Sequence, residues 1–153
     1  MTFRDAEKKR YETLKPHLFS EQACQPGNYN GIPRAFCLAE GHSAENLFAV
    51  FREDAIEYFR QRGISWHDGL PDSHGNKSGL PSNHLCCSQS ACVNYLWPLT
   101  SHPDLLARVF RPIFPDLATA LPFEADDPLS DGTRPYLAFE WVERLRRAEA
   151  KTG

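Results

Sequence analysis

The sequence contains no apolar stretch long enough to cross a bilayer, which needs about 20 apolar residues in succession. Its charged N-terminus also lacks the apolar core of a signal peptide. These absences predict a cytoplasmic protein that does not engage a membrane. A reducing cytosol would keep its five cysteines as thiols (Cys24, Cys37, Cys86, Cys87 and Cys92). A net charge of −3 argues against nucleic-acid binding through overall charge.

The chain is short and of ordinary globular composition. Its 153 residues are 41% hydrophobic and 24% charged, which is typical of one folded domain. We predict an α+β fold: a predominantly helical single domain over residues 1–153 with a few short strands. Its parts would be an N-terminal helix (1–20), a helical core (35–121), an acidic loop (122–135), and a strand with a charged helix (136–153).

Apolar spacing and turn residues predict the individual elements. The first helix buries Phe3, Tyr11, Leu14 and Leu18, which recur at helical spacing. The predicted elements that follow are a loop (22–34), a helix capped by Ser43 and ended by Gly63, a short strand (64–67) with a turn at Asp68-Gly69, and a surface loop (70–81). A buried helix should then run from Ser82 to Trp97, and Pro103 should begin another helix with Leu105, Leu106, Val109 and Phe110 facing inward. The last predicted elements are a helical turn (117–121) and a strand (136–141) before a helix from Val142.

Charge is unevenly distributed along the chain, and both ends are basic. Such ends are typical of solvated helix faces, and they could also hold a partner protein or DNA. The basic residues are Arg4, Lys8, Lys9, Arg10 and Lys15 at the start and Arg144, Arg146, Arg147 and Lys151 at the end; the acidic stretch holds Glu124, Asp126, Asp127 and Asp131.

The cysteines are poorly spaced for a metal site. Structural zinc takes four nitrogen or sulfur ligands. Cys86 and Cys87 are adjacent on a predicted helix, so their side chains point about 100° apart. His84 and Cys87 could share an ion but lack a second pair. We expect buried structural thiols. A cysteine nucleophile with His84 as its base remains an alternative.

Polar residues at spacings of three and four lie in the predicted third helix. Asn83, Cys87, Ser90 and Asn94 would share one face, beside His84. Buried polar groups need hydrogen-bond partners. Either the long loops supply backbone partners, which we favour, or this face meets a ligand or another domain.

Several motifs in fixed order resemble a family of restriction endonucleases of the PD-(D/E)XK type, over roughly Gly31 to Trp141. The most specific part is the run from Pro81 to Cys86 with its continuation through Asn94. The motifs are Ala35–Leu38, Glu45–Phe48, Trp66–Gly69, Pro81–Cys86, Ser88-Gln89, Cys92–Asn94, Leu105–Ala107, Phe114–Asp116 and Phe139–Trp141.

The resemblance implies a magnesium-dependent, DNA-cleaving relative. In the family an Asp and an acidic-x-Lys motif on adjacent strands follow the Phe-Glu-Trp motif, hold Mg²⁺ and activate water. Here only Glu140 matches a position that could be catalytic, and Lys151 in the charged helix is no substitute for the strand lysine. The candidate binding residues are Asn83, His84, Gln89, Asn94, Trp66 and His67.

Three functions follow as expectations. The first is a truncated nuclease relative, inactive as an isolated chain, with no cofactor of its own and with Mg²⁺ only where a complete site exists. Its partners would be DNA or a missing catalytic segment or partner protein. The second is a non-enzymatic helical module that binds protein or nucleic acid. The third is an unrelated hydrolase that uses His67, His84 or a cysteine.

Overall fold

The computed structural model describes residues 1–76, 78–123 and 128–140. These residues contain four α-helices and one two-stranded sheet, which confirms the predominantly helical α+β fold. The chain divides into two compact units, residues 1–98 and 99–153. The elements are α1 (Phe3–Leu18), β1 (Gly27–Tyr29), β2 (Ile32–Arg34), a 3₁₀ turn (Ser43–Asn46), α2 (Arg52–Arg62), α3 (Ser88–Leu96), a 3₁₀ turn (Trp97–Leu99) and α4 (Pro103–Phe110).

Helix α1 begins with a capping box. The Thr2 side chain accepts a hydrogen bond from the backbone N–H of Asp5, and the Asp5 carboxylate accepts one from the Thr2 backbone. The predicted apolar stripe is wrong at both ends, because Phe3 and Leu18 are exposed. The buried residue of this helix is Lys15.

The predicted loop over residues 22–34 contains a β-hairpin. Strands β1 and β2 pair antiparallel, with Tyr29 opposite Ile32. Asn30 and Gly31 connect them with φ angles of 52° and 77°. Two positive φ angles in succession are the geometry of a tight hairpin turn, for which Asn-Gly is the preferred sequence.

The second helix begins later than Ser43. Residues Ser43–Asn46 form a 3₁₀ turn, and α2 begins at Arg52. Side chains take the backbone groups that a continuous helix would use: Asn94 accepts the Phe48 N–H, and Arg52 donates to the Leu47 carbonyl. The end is as predicted, because Gly63 terminates α2 in the left-handed conformation.

No strand forms over residues 64–67. The Trp66 N–H donates to the Ser78 carbonyl, and the Ile64 N–H donates to the Phe59 carbonyl at the end of α2. The predicted turn follows, because Gly69 donates to the Trp66 carbonyl. The surface loop after it is closed by paired backbone hydrogen bonds between Leu70 and Leu80.

The third helix is shorter than predicted and begins at Ser88. Residues 82–87 are not helical, because other segments take their backbone groups. The Asn83 carbonyl accepts from the Leu38 N–H, and the Asn46 side chain donates to the carbonyls of Ser82 and His84. Side-chain directions inferred from a helix at Asn83, Cys86 and Cys87 are therefore wrong.

The second unit contains α4, which begins at Pro103 as predicted. Leu106 faces inward, but Leu105 and Val109 are exposed, contrary to prediction. Residues 117–121 form no helical turn. The segment 136–140 is not a strand: its Tyr136 N–H donates to the Thr100 carbonyl. Lys77, the acidic residues 124, 126 and 127, Trp141, Lys151 and the predicted charged helix lie outside the described residues.

Among the described residues, no helix combines the length and apolar character that a membrane span requires.

Candidate functional site

His84 lies at the centre of a small aromatic cluster in the first unit. Its ring meets those of Tyr29 and Phe36 edge-on, with centroids 4.8 and 4.9 Å away. A β-bridge to Cys37 fixes its backbone. Only 6% of the residue is exposed, so His84 belongs to the interior that joins the hairpin to the segment before α3.

The hydrogen bonding of His84 defines its tautomer. The Cys86 backbone N–H points at Nδ1 at 3.0 Å, so Nδ1 accepts and the neutral ring carries its proton on Nε2. Burial lowers the pKa of His84, and the nearby positive charges of Arg4 and Lys8 lower it further. The neutral ring is therefore favoured at neutral pH, and His84 acts as a packed acceptor.

Asn83 is a structural cross-link. Its side-chain amide donates to the carbonyls of Asn28 and Leu38 at 3.1 and 3.0 Å, and 2% of the residue is exposed. The close approach requires glycine at position 27, since a Cβ there would lie 1.8 Å from the Leu38 carbonyl oxygen. The internal partners favoured by the sequence are thus present at Asn83.

The His67-Asp68 turn is held from both sides. Trp66 stacks on Phe59, with ring centroids 3.9 Å apart and planes 8° from parallel. The Tyr29 hydroxyl donates to the Asp68 carboxylate at 2.7 Å. Asp68 adopts a left-handed φ of 51°, and the His67 side chain is 74% exposed beside it. Of the predicted binding residues, His67 is the one presented to solvent.

Gln89, in the first turn of α3, ties that helix to the turn. Its Oε1 accepts the His67 backbone N–H at 2.6 Å, and its Nε2 donates to the Ser65 carbonyl at 3.3 Å. The indole Nε1 of Trp66 is buried and has no hydrogen-bond partner among the described residues. Trp66 and Gln89 hold the backbone that carries His67.

Asn94 bonds within the fold. Its Oδ1 accepts the Phe48 N–H at 3.0 Å, and its Nδ2 donates to the Asn46 carbonyl at 2.8 Å. One turn earlier, the buried Ser90 hydroxyl has no partner among the described residues. The predicted polar face is thus divided, because Asn83 and Cys87 precede the helix and Asn94 is occupied internally.

The expectation of buried thiols holds for Cys37 and Cys87, whereas Cys24 and Cys86 are partly buried and Cys92 is exposed, contrary to that expectation. Burial raises the pKa of Cys37 to about 11, and it also raises the pKa of Cys86. A nucleophilic cysteine needs the opposite shift. No group of three or more His, Cys, Asp or Glu side chains arranged to hold a metal ion occurs within 1–76, 78–123 and 128–140.

Glu140 lies in the second unit. It is exposed and has a left-handed φ of 48°. Its predicted strand setting is wrong, because residues 136–140 turn rather than pair. The catalytic role predicted for Glu140 stays a prediction.

Sequence reasoning missed two residues at this site. Tyr29 supplies both the ring against His84 and the hydroxyl bound to Asp68. Its place could have been found from the Asn30-Gly31 pair, which predicts a hairpin. Lys15, buried beneath the hairpin, carried no comparable signal, since a lysine among other helix charges is typical of solvent exposure.

The described residues define a small, helix-rich α+β protein with internally bonded amides and one His-Asp turn displayed to solvent. A family model described as "Restriction Endonuclease associating with ARP" matches residues 8–152. This match spans nearly the whole chain, so the chain belongs to that family, and the resemblance to restriction endonucleases is confirmed. No curated protein and no solved structure gave a match.

Proposed function

We propose that this protein is a DNA-directed component of a restriction-endonuclease system of the PD-(D/E)XK type, and that it does not cut DNA alone. The observation that carries the proposal is the family match over residues 8–152. Magnesium-assisted hydrolysis needs several oxygen ligands and a group that orients water. Glu140 offers one carboxylate, so we propose that other ligands come with a partner.

The family description names ARP as the associate of its members. We propose that this chain binds its own ARP partner and that cleavage of DNA requires this association. The fixed His67-Asp68 turn supports a recognition role, because a displayed side chain on a rigid backbone is positioned for binding without further ordering.

The alternative hydrolase is less well supported. The pKa values of Cys37 and Cys86 are raised, and His84 is occupied as an acceptor within the interior. A non-enzymatic interaction module is the second candidate. It is favoured by the side chains of Asn83 and Asn94, because both amides are bonded to backbone carbonyls within the fold and have a structural role.

Cleavage of supercoiled plasmid with Mg²⁺ tests the proposal. We expect the isolated chain, the Glu140→Ala variant and an EDTA control to leave the plasmid equally intact. We expect magnesium-dependent cutting when purified ARP is added, and loss of that cutting in Glu140→Ala if this carboxylate is a ligand. Cutting by the chain alone that disappears in Glu140→Ala or Lys151→Ala would refute inactivity. No cutting with ARP present would favour the interaction module.

A further inference from the structure

The basic residues of α1 have different environments, although the sequence groups them together. Lys15 is buried. Lys9 pairs with Glu12 at 3.6 Å, and Arg10 pairs with Glu7 at 3.1 Å. These three cations are therefore already engaged within the helix or beneath it.

Arg4 and Lys8 have no carboxylate within salt-bridge distance among the described residues, and they share one face of α1. Residues four apart on a helix lie one above the other. Lys8 Nζ lies 5.1 Å from the centroid of the Phe36 ring, so this face points toward the hairpin. Both charges also act on His84, which packs against Phe36.

Arg34 adds a third cation to the same neighbourhood. It is the last residue of β2, is exposed, and has no salt-bridge partner within the described part of the chain. Phe36, which Lys8 covers, follows it by two residues. The charges of Arg34 and Lys8 both act on the Cys37 thiol. The nearby carboxylate of Asp68 is held by Tyr29.

We propose that Arg4, Lys8 and Arg34, called here the α1–hairpin surface, bind the phosphate backbone of DNA. The inference rests on the proposed function, because it assigns a surface to the DNA-directed role. Charge complementarity carries it: these three cations lie around Phe36, His84 and Cys37 without a salt-bridge partner among the described residues, and phosphate carries the opposite charge. Phosphate contacts of this kind position a protein on a duplex without reading its sequence.

Fluorescence anisotropy with a labelled duplex over a salt series tests the surface. The variant is Arg4→Gln/Lys8→Gln/Arg34→Gln. The matched control is Lys9→Gln/Arg10→Gln/Arg60→Gln, which removes the same charge from cations already paired, since Arg60 binds Glu57. Each phosphate contact contributes about 0.9 to the slope of log affinity against log salt. We expect the first variant to lose about 2–3 from this slope and the control to stay near the wild-type value.

The outcomes separate the surface from the proposed function. Wild-type DNA binding that the α1–hairpin variant retains would overturn the inference and leave the DNA-directed role intact. Equal losses in variant and control would also overturn it, as an effect of net charge. A wild-type chain that binds no DNA at low salt, with or without ARP, would overturn both. Loss of ARP binding with unchanged DNA binding would reassign the surface to protein.

Folding is checked by thermal melting of each variant. The single variant Arg4→Gln is used if the triple variant fails to fold, because Arg4 is exposed and makes no packing contact with an aromatic ring in the described residues. It should reduce the salt slope by about 0.9. An unchanged slope in Arg4→Gln, Lys8→Gln and Arg34→Gln tested singly would overturn the inference even if the triple variant failed to fold.

Discussion

Lys15 is a buried lysine whose ammonium group links α1 to the hairpin by hydrogen bonds. Its ammonium donates to the carbonyls of Gln25, Ala35 and Cys37 at 3.1, 3.0 and 2.5 Å, so its three N–H donors meet three acceptors. Burial lowers the pKa of this ammonium, because desolvation disfavours the charged form. The carbonyls lie before β1 and after β2, so one side chain of α1 holds both ends of the hairpin.

Replacing Lys15 with methionine should destabilise the chain by about 2–4 kcal/mol, because buried carbonyls lose their donor while the apolar volume is kept. Urea unfolding followed by circular dichroism measures the change. The matched control is Lys9→Met on the same helix, whose lysine side chain is 76% exposed. It should alter stability by no more than about 0.5 kcal/mol. Equal stability of the two variants would show that the hydrogen bonds of Lys15 do not contribute to the free energy of unfolding.

At the scale of single elements, the hairpin shows how local and distant constraints combine. Asn30-Gly31 forms the turn, which is a local property of the sequence. Gly27 lies at the other end, where space is limited by the Leu38 carbonyl and the Asn83 amide. These two glycines are required for different reasons, one conformational and one steric.

Substituting each glycine by alanine separates the two reasons. Gly31→Ala meets nothing within 4 Å, so only the left-handed φ of +77° opposes it, at about 1–2 kcal/mol. Gly27→Ala places a Cβ 1.8 Å from the Leu38 oxygen. The resulting backbone shift should cost about 3 kcal/mol or more. Urea midpoints should therefore fall further for Gly27→Ala, and the reverse order would refute the steric account.

Elements with local signals were predictable from the sequence. The start of α4 at Pro103 and the end of α2 at Gly63 both follow from backbone preferences. The start of α2 was not, because the distant Asn94 side chain binds the Phe48 N–H and the Arg52 side chain binds the Leu47 carbonyl. Helical periodicity over residues 43–51 is real, but these tertiary hydrogen bonds outweigh it.

The candidate site was predictable to a similar extent. Internal satisfaction of Asn83 was expected, but its partners Asn28 and Leu38 could not be read from helical spacing. The turn at His67-Asp68 was expected from composition. Its anchoring by Tyr29 and Gln89 depends on contacts across more than twenty positions, which no local pattern encodes.

At the scale of the whole molecule, the folded structure favours the deprotonated forms of two ionisable groups, the His84 ring and the Glu45 carboxyl. Burial lowers the pKa of His84 below its ordinary 6.5. Burial alone would raise the pKa of Glu45, but hydrogen bonds from His42 and Ser20 outweigh it and lower that pKa below 4.5. Both groups therefore bind a proton more readily in the unfolded chain than in the folded one.

The stability of the whole chain should fall in two stages as the pH falls. The contribution of His84 is fully present above about pH 6.5 and is lost as the pH drops through its lower folded pKa. That of Glu45 is present above about pH 4.5 and is lost below, through its own lowered pKa. Urea midpoints measured from pH 8 downward should show both stages.

Glu45→Gln should reduce the second stage while leaving the first, because an uncharged amide does not titrate, whereas exposed carboxylates with lowered pKa values, such as Asp5 and Glu57, still do. NMR of the histidine ring protons tests whether His84 causes the first stage of the stability loss, since His84 should titrate below its ordinary pKa of 6.5. A urea midpoint that stays constant through pH 5 would contradict the neutral, buried state of His84. A second stage that persists unchanged in Glu45→Gln would exclude the carboxylate of Glu45 as its origin.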